Sequence, residues 1–203
     1  MGSVVISGAT SGAVTLAVPA EAGTRTLTLP AETGSVLTTV STSSNVLPTI
    51  NNSTTVATTS GTAIDFTGIP SGVKKITILF NQVSCNGTAP RLLQIGTSSG
   101  LVTSGYISSG AYCGLGQGGA TSTAGFLAGA GGGVADKTVG TAVIQTIGSN
   151  TWCMSSVTGD GTAAYTKMGG GSITLGAVLD RVRLSTTSGA TFDHGSVNIA
   201  WEY

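Results

Sequence analysis

The chain has 203 residues, of which only 8% are charged against about a quarter in ordinary soluble domains; eight basic and eight acidic side chains cancel to a formal charge of zero. Scattered Lys and Arg exclude a phosphate-backbone partner, which needs clustered positive charge. No apolar run reaches the roughly 18 residues of a membrane-spanning helix, so membrane insertion is not expected.

Thirty-two glycines, abundant Ser and Thr and a 40% apolar fraction describe a folded, loop-rich chain with an adequate core. The mean hydropathy of +0.35 is high for so few apolar runs. A sparingly charged, apolar-leaning surface favours association, and burial against copies of itself, as an obligate homo-oligomer, is the simplest resolution. The start, "MGSVVISGAT", lacks the basic segment of a secretory leader, and Ile6 stands where a myristoylation signal wants Ser or Thr. Cys85, Cys113 and Cys153 are odd in number and fit no metal spacing, so they read as buried small hydrophobes in a reducing compartment, with a disulfide pair as the alternative. "NNST" (51–54) and "NGT" (86–88) read as turn sequence.

In chain order, "VTLAVPAEAG" and "LTLPAETG" come first. Pro-Ala-Glu-x-Gly recurs at 19–23 and 30–34, each copy preceded by an alternating run such as Val14-Leu16-Val18. Alternation predicts strands with one apolar face, and the prolines end them. Such strands cannot bury a stripe alone, so residues 1–51 are expected to form a β-rich stem or attachment arm packed against the same segment of neighbouring subunits. The polar, turn-rich stretch 40–60 leads into a head domain, residues 52–203.

In the head, "AIDFTGIP" puts Ile64 and Phe66 on one face, "IPSGVKK" is a turn with Gly72 at positive φ, and "KKITILFNQVS" alternates Ile76, Ile78 and Phe80. "RLLQIG", "GYISSGAY", "TAVIQTIG" and "TWCMSSVT" predict further short strands. "SITLGAVLDRVRLS" alternates Ile173, Leu175, Ala177 and Leu179. At the end, Val182 and Leu184 share one face, and Val197, Ile199, Trp201 and Tyr203 another, predicting a hairpin or two strands joined by a moderate loop. No amphipathic helix is evident. Short strands at regular intervals with Gly and Ser between them predict an all-β, jelly-roll-like β-sandwich. "GLGQGGATSTAGFLAGAGGGVAD" (114–136) is too glycine-rich for a regular strand and is expected to be the longest loop.

Four patterns invite a catalytic reading. Gly96-Thr97-Ser98-Ser99-Gly100 matches a nucleophile elbow, with Asp160 or Asp180 and then His194 following in hydrolase order, but no helix follows it. A chain this rich in Gly and Ser produces that pattern by chance. Gly114-Leu115-Gly116-Gln117-Gly118-Gly119 matches a dinucleotide loop without the βαβ context. Asp193-His194 is a lone pair, read as polar residues at a turn or strand start, with an ion at a symmetry axis as the alternative. The carboxylates Asp65, Asp136, Asp160, Asp180, Asp193, Glu21, Glu32 and Glu202 show no spacing that singles out a glycosidase pair. No catalytic residue, metal site or cofactor is therefore assigned, and a small hydrolase is the least supported function. Tyr106, Tyr112 and Trp152 lie in or near loop-like segments and are the candidate contact residues, with core packing as the competing reading.

The stem "SGAVTLAVPAEAGTRTLTLPAETGSVLTT" and the head segments "TAIDFTGIPSGVKKITILFNQVSCNGTAPRLLQIGTSSGLVTSGY" and "LDRVRLSTTSGATFDHGSVNIAWEY" resemble tailed-bacteriophage fibre and tail-appendage proteins. The resemblance runs from residue 11 through nearly the whole chain. "TGIPSGVKKI" and "RVRL…FDHGSVNI" are its distinctive pieces. It implies a homotrimeric virion protein, assembled in the host cytoplasm, with a β-sandwich tip and no catalytic residues. Residues 1–51 would then seat on other virion proteins, and the head would adhere to the host cell surface, with a surface glycan as the implied receptor. The family often carries a longer N-terminal docking region, whereas this stem starts almost at Met1. A capsid decoration knob or head fibre is the alternative.

Overall fold

The computed structural model describes residues Ser3–Ser7, Ala13–Ala17 and 50–203 except 132 and 135. Contacts divide the chain into residues Met1–Val46 and Leu47–Tyr203. In the first unit β1 (Ser3–Ser7) pairs antiparallel with β2 (Ala13–Ala17), Ile6 opposite Val14 and Val4 opposite Leu16. The expected Val14-Leu16 strand is therefore present, and "SVVIS" supplies a partner that its unalternating run did not announce. Both Pro-Ala-Glu-x-Gly copies lie outside the described residues.

The second unit opens with β3 (Asn51–Asn52), β4 (Val56–Ala57), β5 (Ala63–Thr67) and β6 (Lys75–Cys85). Asn51 and Asn52, which the expected boundary separates, form one short strand opposite Trp201 and Ala200. "NNST" is thus partly strand rather than turn. β7 (Arg91–Thr97), β8 (Gly100–Leu101), β9 (Ile107–Gly114), β10 (Gln117–Ser122) and β11 (Phe126–Leu127) follow. The chain closes with β12 (Thr138–Gly148), β13 (Thr151–Asp160), β14 (Tyr165–Thr174), β15 (Leu179–Thr186) and β16 (Phe192–Glu202).

These strands build two antiparallel sheets. A nine-stranded sheet runs β10-β9-β14-β13-β12-β6-β16-β3, with β4 also on β16; a five-stranded sheet runs β11-β7-β15-β5, with β8 on β7. Their inner faces share one core, the β-sandwich expected from the strand pattern. Ile64, Phe66, Ile95 and Leu184 from the smaller sheet meet Ile76, Ile78, Ile144 and Ile199 from the larger. Each such side chain contributes roughly 1.5–3 kcal/mol by leaving water. The turn after Pro70 forms as predicted, with Gly72 at φ 94°.

One strand expectation changes. The alternation from Ile173 to Leu179 is not one strand. β14 ends at Thr174, and Leu175–Val178 carries the chain from the larger sheet to the smaller, leaving Ala177 exposed. Leu175 and Leu179 are both core, so the apolar period runs unbroken through a bend marked only by Gly176. β15 and β16 lie in different sheets, so of the two readings of the terminal pair the structure shows the second, two strands joined by a loop.

The glycine-rich stretch is also not a plain loop. It holds β10, the edge of the larger sheet, and β11, whose Phe126 and Leu127 are fully buried. Glycine hides the alternation, yet it is what lets the backbones meet. A Cβ at Gly169 would lie 1.9 Å from the Leu127 carbonyl oxygen. Of the cysteines, only Cys85 is buried; Cys113 is exposed and Cys153 half-buried, because both sit on outward positions of their strands.

Candidate contact site

Of the three candidate contact aromatics, two are core. Tyr106 is 1% exposed. Its hydroxyl accepts from the Ile95 amide (2.8 Å) and lies within donating distance of the Val102 and Ile95 carbonyls (3.0 and 3.1 Å). Its ring meets Phe126 edge to face at 4.9 Å. Burial pushes its pKa up to about 12 against the opposing effect of the Ile95 backbone bond. A tyrosine fixed at both ends cannot reach a partner. Trp152 is also buried, and its indole Nε1 has no hydrogen-bond partner among the described residues. It forms the floor of a notch of about 170 Å³ beside Val73, Thr146, Ser149 and Val178. Both positions are corrected from contact residues to core residues: each lies on the inward side, where the opposing sheet covers it.

Tyr112 is different. It is half-buried on the inner side of β9, near the β9–β10 turn. Across the ladder β14 places Tyr165 opposite Gly114 and Lys167 opposite Tyr112. The Tyr112 and Tyr165 rings meet edge to face at 5.7 Å, and a Cβ at Gly116 would lie about 4 Å from both side chains. The turn presents Leu115, 80% exposed, beside them. Sequence reasoning missed Tyr165; only the β9–β14 register brings it to Tyr112. Gly118 and Gly131 are where the backbone closes on the Tyr112 ring, since a Cβ at either would lie under 3 Å from it.

Beneath this pair lies a buried ionic cluster. Lys167 Nζ contacts Asp136 Oδ2 at 2.6 Å and Asp160 Oδ2 at 3.6 Å. Asp136 also accepts from the Gly133 amide, and Asp160 Oδ1 accepts from the Thr162 amide and hydroxyl and from the Lys137 amide. Burial alone would raise the Asp160 pKa. The Thr162 bonds, the Asp136 side chain and the Lys167 charge outweigh it and hold the pKa at about 2. Arg91 reaches in from β7, donating to the carbonyls of Val83, Ala89 and Asp136. The adjoining cavity, between Arg91, Thr138, Thr158 and Lys167, is about 10 Å³, room for one water and no substrate. The cluster ties the segment after β11 down onto β13 and β14.

The other catalytic patterns are dispersed. Ser98 sits in the turn joining β7 to β8, a strand–turn–strand context and not an elbow. Gly114–Gly119 spans the β9–β10 hairpin, whose turn is Leu115–Gly116. His194, exposed at the irregular start of β16, lies 3.3 Å from Gln82 Oε1. Asp65 pairs with Arg183, Asp180 with Arg181 and Glu202 with Lys75. Among the described carboxylates only Asp136 and Asp160 come together, and Lys167 occupies both. Among the described residues no group of three or more His, Cys, Asp or Glu side chains could hold a metal, and no helix is long and apolar enough to cross a membrane.

Searches of protein-family models, curated proteins and solved structures return no match to the chain.

Proposed function

We propose that this chain is a homotrimeric bacteriophage appendage whose β-sandwich head adheres to the host cell surface. Residues 1–51 would be the arm that seats on other virion proteins. The observation that carries adhesion is the Tyr112–Tyr165 pair with Leu115 at the open end of β9 and β14. Two half-buried rings on a glycine turn offer apolar faces to a sugar at little entropic cost. One such contact is weak, and three per trimer multiply it by effective concentration. The ion cluster below the rings acts as a support that fixes their position.

The test is binding of the purified full chain to host cells, compared with Tyr165→Ala and Leu115→Ser. The wild type should bind, and each variant should lose at least about tenfold in affinity with an unchanged circular dichroism spectrum. Undiminished binding by both variants would overturn the site. No binding by the wild type would overturn the adhesin reading and favour capsid decoration.

A further inference from the structure

We propose that a second copy of this chain docks on the outer face of the larger sheet, over β6, β12, β13, β14, β9 and β10. The inference rests on the self-association required by the appendage reading, and it names the surface responsible.

Charge marks this face. On these six strands the outward positions hold one formal charge among the described residues. That charge is Lys75, at the margin, neutralised at 2.7 Å by Glu202 of β16. The smaller sheet's outer face instead carries Asp65–Arg183 and Asp180–Arg181. A charge-free face can pack on another copy of the chain without burying an unpaired ion.

Shape marks it too. The ladder aligns Leu79, Thr141, Val157, Met168 and Ala111 in one row across the sheet. Leu79, Val157 and Met168 are 41%, 66% and 45% exposed, forming an apolar ridge. Beside it lies a shallow trough of about 780 Å³ lined by Ser109, Ala111, Gly119, Thr121 and Gly170, with Met168 at its wall. A ridge next to a trough on one face lets each copy's ridge enter the next copy's trough, a head-to-tail contact that closes at three copies around a threefold axis.

The extent is sufficient. Six strands about 4.8 Å apart span about 24 Å, and ten residues rise about 33 Å, giving about 800 Å². That matches the roughly 800 Å² per partner of a standard stable interface. The edge strand β10, "QGGATS", also lacks the charge or proline by which edges normally repel pairing.

Light scattering on the full chain tests this. The wild type should have a mass that is a multiple of 19.8 kDa. Val157→Glu with Met168→Glu should weaken association at least about 100-fold, leaving the single-chain mass and an unchanged β-sheet spectrum. Ser109→Arg, which fills the trough, should do the same if the double variant fails to fold. Thr67→Glu, exposed on the other sheet, should leave the mass alone. An oligomer that survives both Val157→Glu/Met168→Glu and Ser109→Arg would overturn this face while leaving self-association intact. A monomeric wild type would overturn both.

Discussion

The two sheets share a core but treat their outer faces differently. On the smaller sheet, Arg183 holds Asp65 through two bonds of 2.7 Å, Arg181 holds Asp180, and Gln94 is covered by the chain at Ala124. That face is finished against water by its own side chains. The larger sheet shows water a ridge of Leu79, Val157 and Met168 and rows of Ser, Thr and Gly. The same chain, with the same scarcity of charge, places two ion pairs on the smaller sheet's face, and on the larger sheet confines charge to the margin at β16, with Lys75–Glu202 and Asp193, leaving the strands from β12 to β10 without outward formal charge. Low charge is thus not spread evenly over the surface. It is concentrated on one face, which turns a property of the composition into a property of a place.

The comparison can be broken most severely through the core both sheets depend on. Phe126 is fully buried against Tyr106 and joins the segment after β10 to the smaller sheet. Phe126→Ala should cost about 3–5 kcal/mol, read from denaturant unfolding, and loosen both faces together. Lys167→Met should cost nearly as much, about 3 kcal/mol, since it strands two buried carboxylates. Its effect should be local to the cluster, with faster hydrogen exchange in the segment after β11 and in the adjoining ends of β13 and β14.

Acid is a gentler probe of the same cluster. The folded pKa of Asp160 lies below its ordinary value, so its contribution is present above pH 3.8 and is lost as pH falls toward about 2. Thermal melts from pH 6 downward should show that decline, and Asp160→Asn should flatten it. The smallest effect belongs to the charged face. Arg183→Ala removes a partly exposed pair and should shift stability by less than about 1 kcal/mol, with no change in mass.

Much of the sandwich was legible because its strands alternate. Ile64 with Phe66, and Ile76 with Ile78 and Phe80, fall on the core side as their spacing predicts. Legibility fails where side chains stop carrying the signal. β10 carries only the small residues Gly118, Ala120 and Ser122 at the positions that would show a period, and the bend at Leu175–Val178 keeps apolar residues in step through a change of sheet. The site was half visible. Tyr112 could be named as an aromatic near a turn, but Tyr165 joins it only through a register set by strands 50 residues apart. Tyr106 and Trp152 looked equivalent to it, since nothing local says which aromatic the opposing sheet will cover. Lys167 was silent for the same reason: both carboxylates that hold it come from other elements.

The central claim is that the uncharged outer face is covered in the assembled protein. Cys113 and Cys153 lie on that face, on β9 and β13, and each is at least partly accessible in the single subunit, while Cys85 is buried. Thiol alkylation followed by mass spectrometry on the full wild-type chain reads this directly. Both thiols should be protected at assembling concentrations and should react on dilution or in Val157→Glu/Met168→Glu. Rapid alkylation of both in the intact assembly would contradict the account.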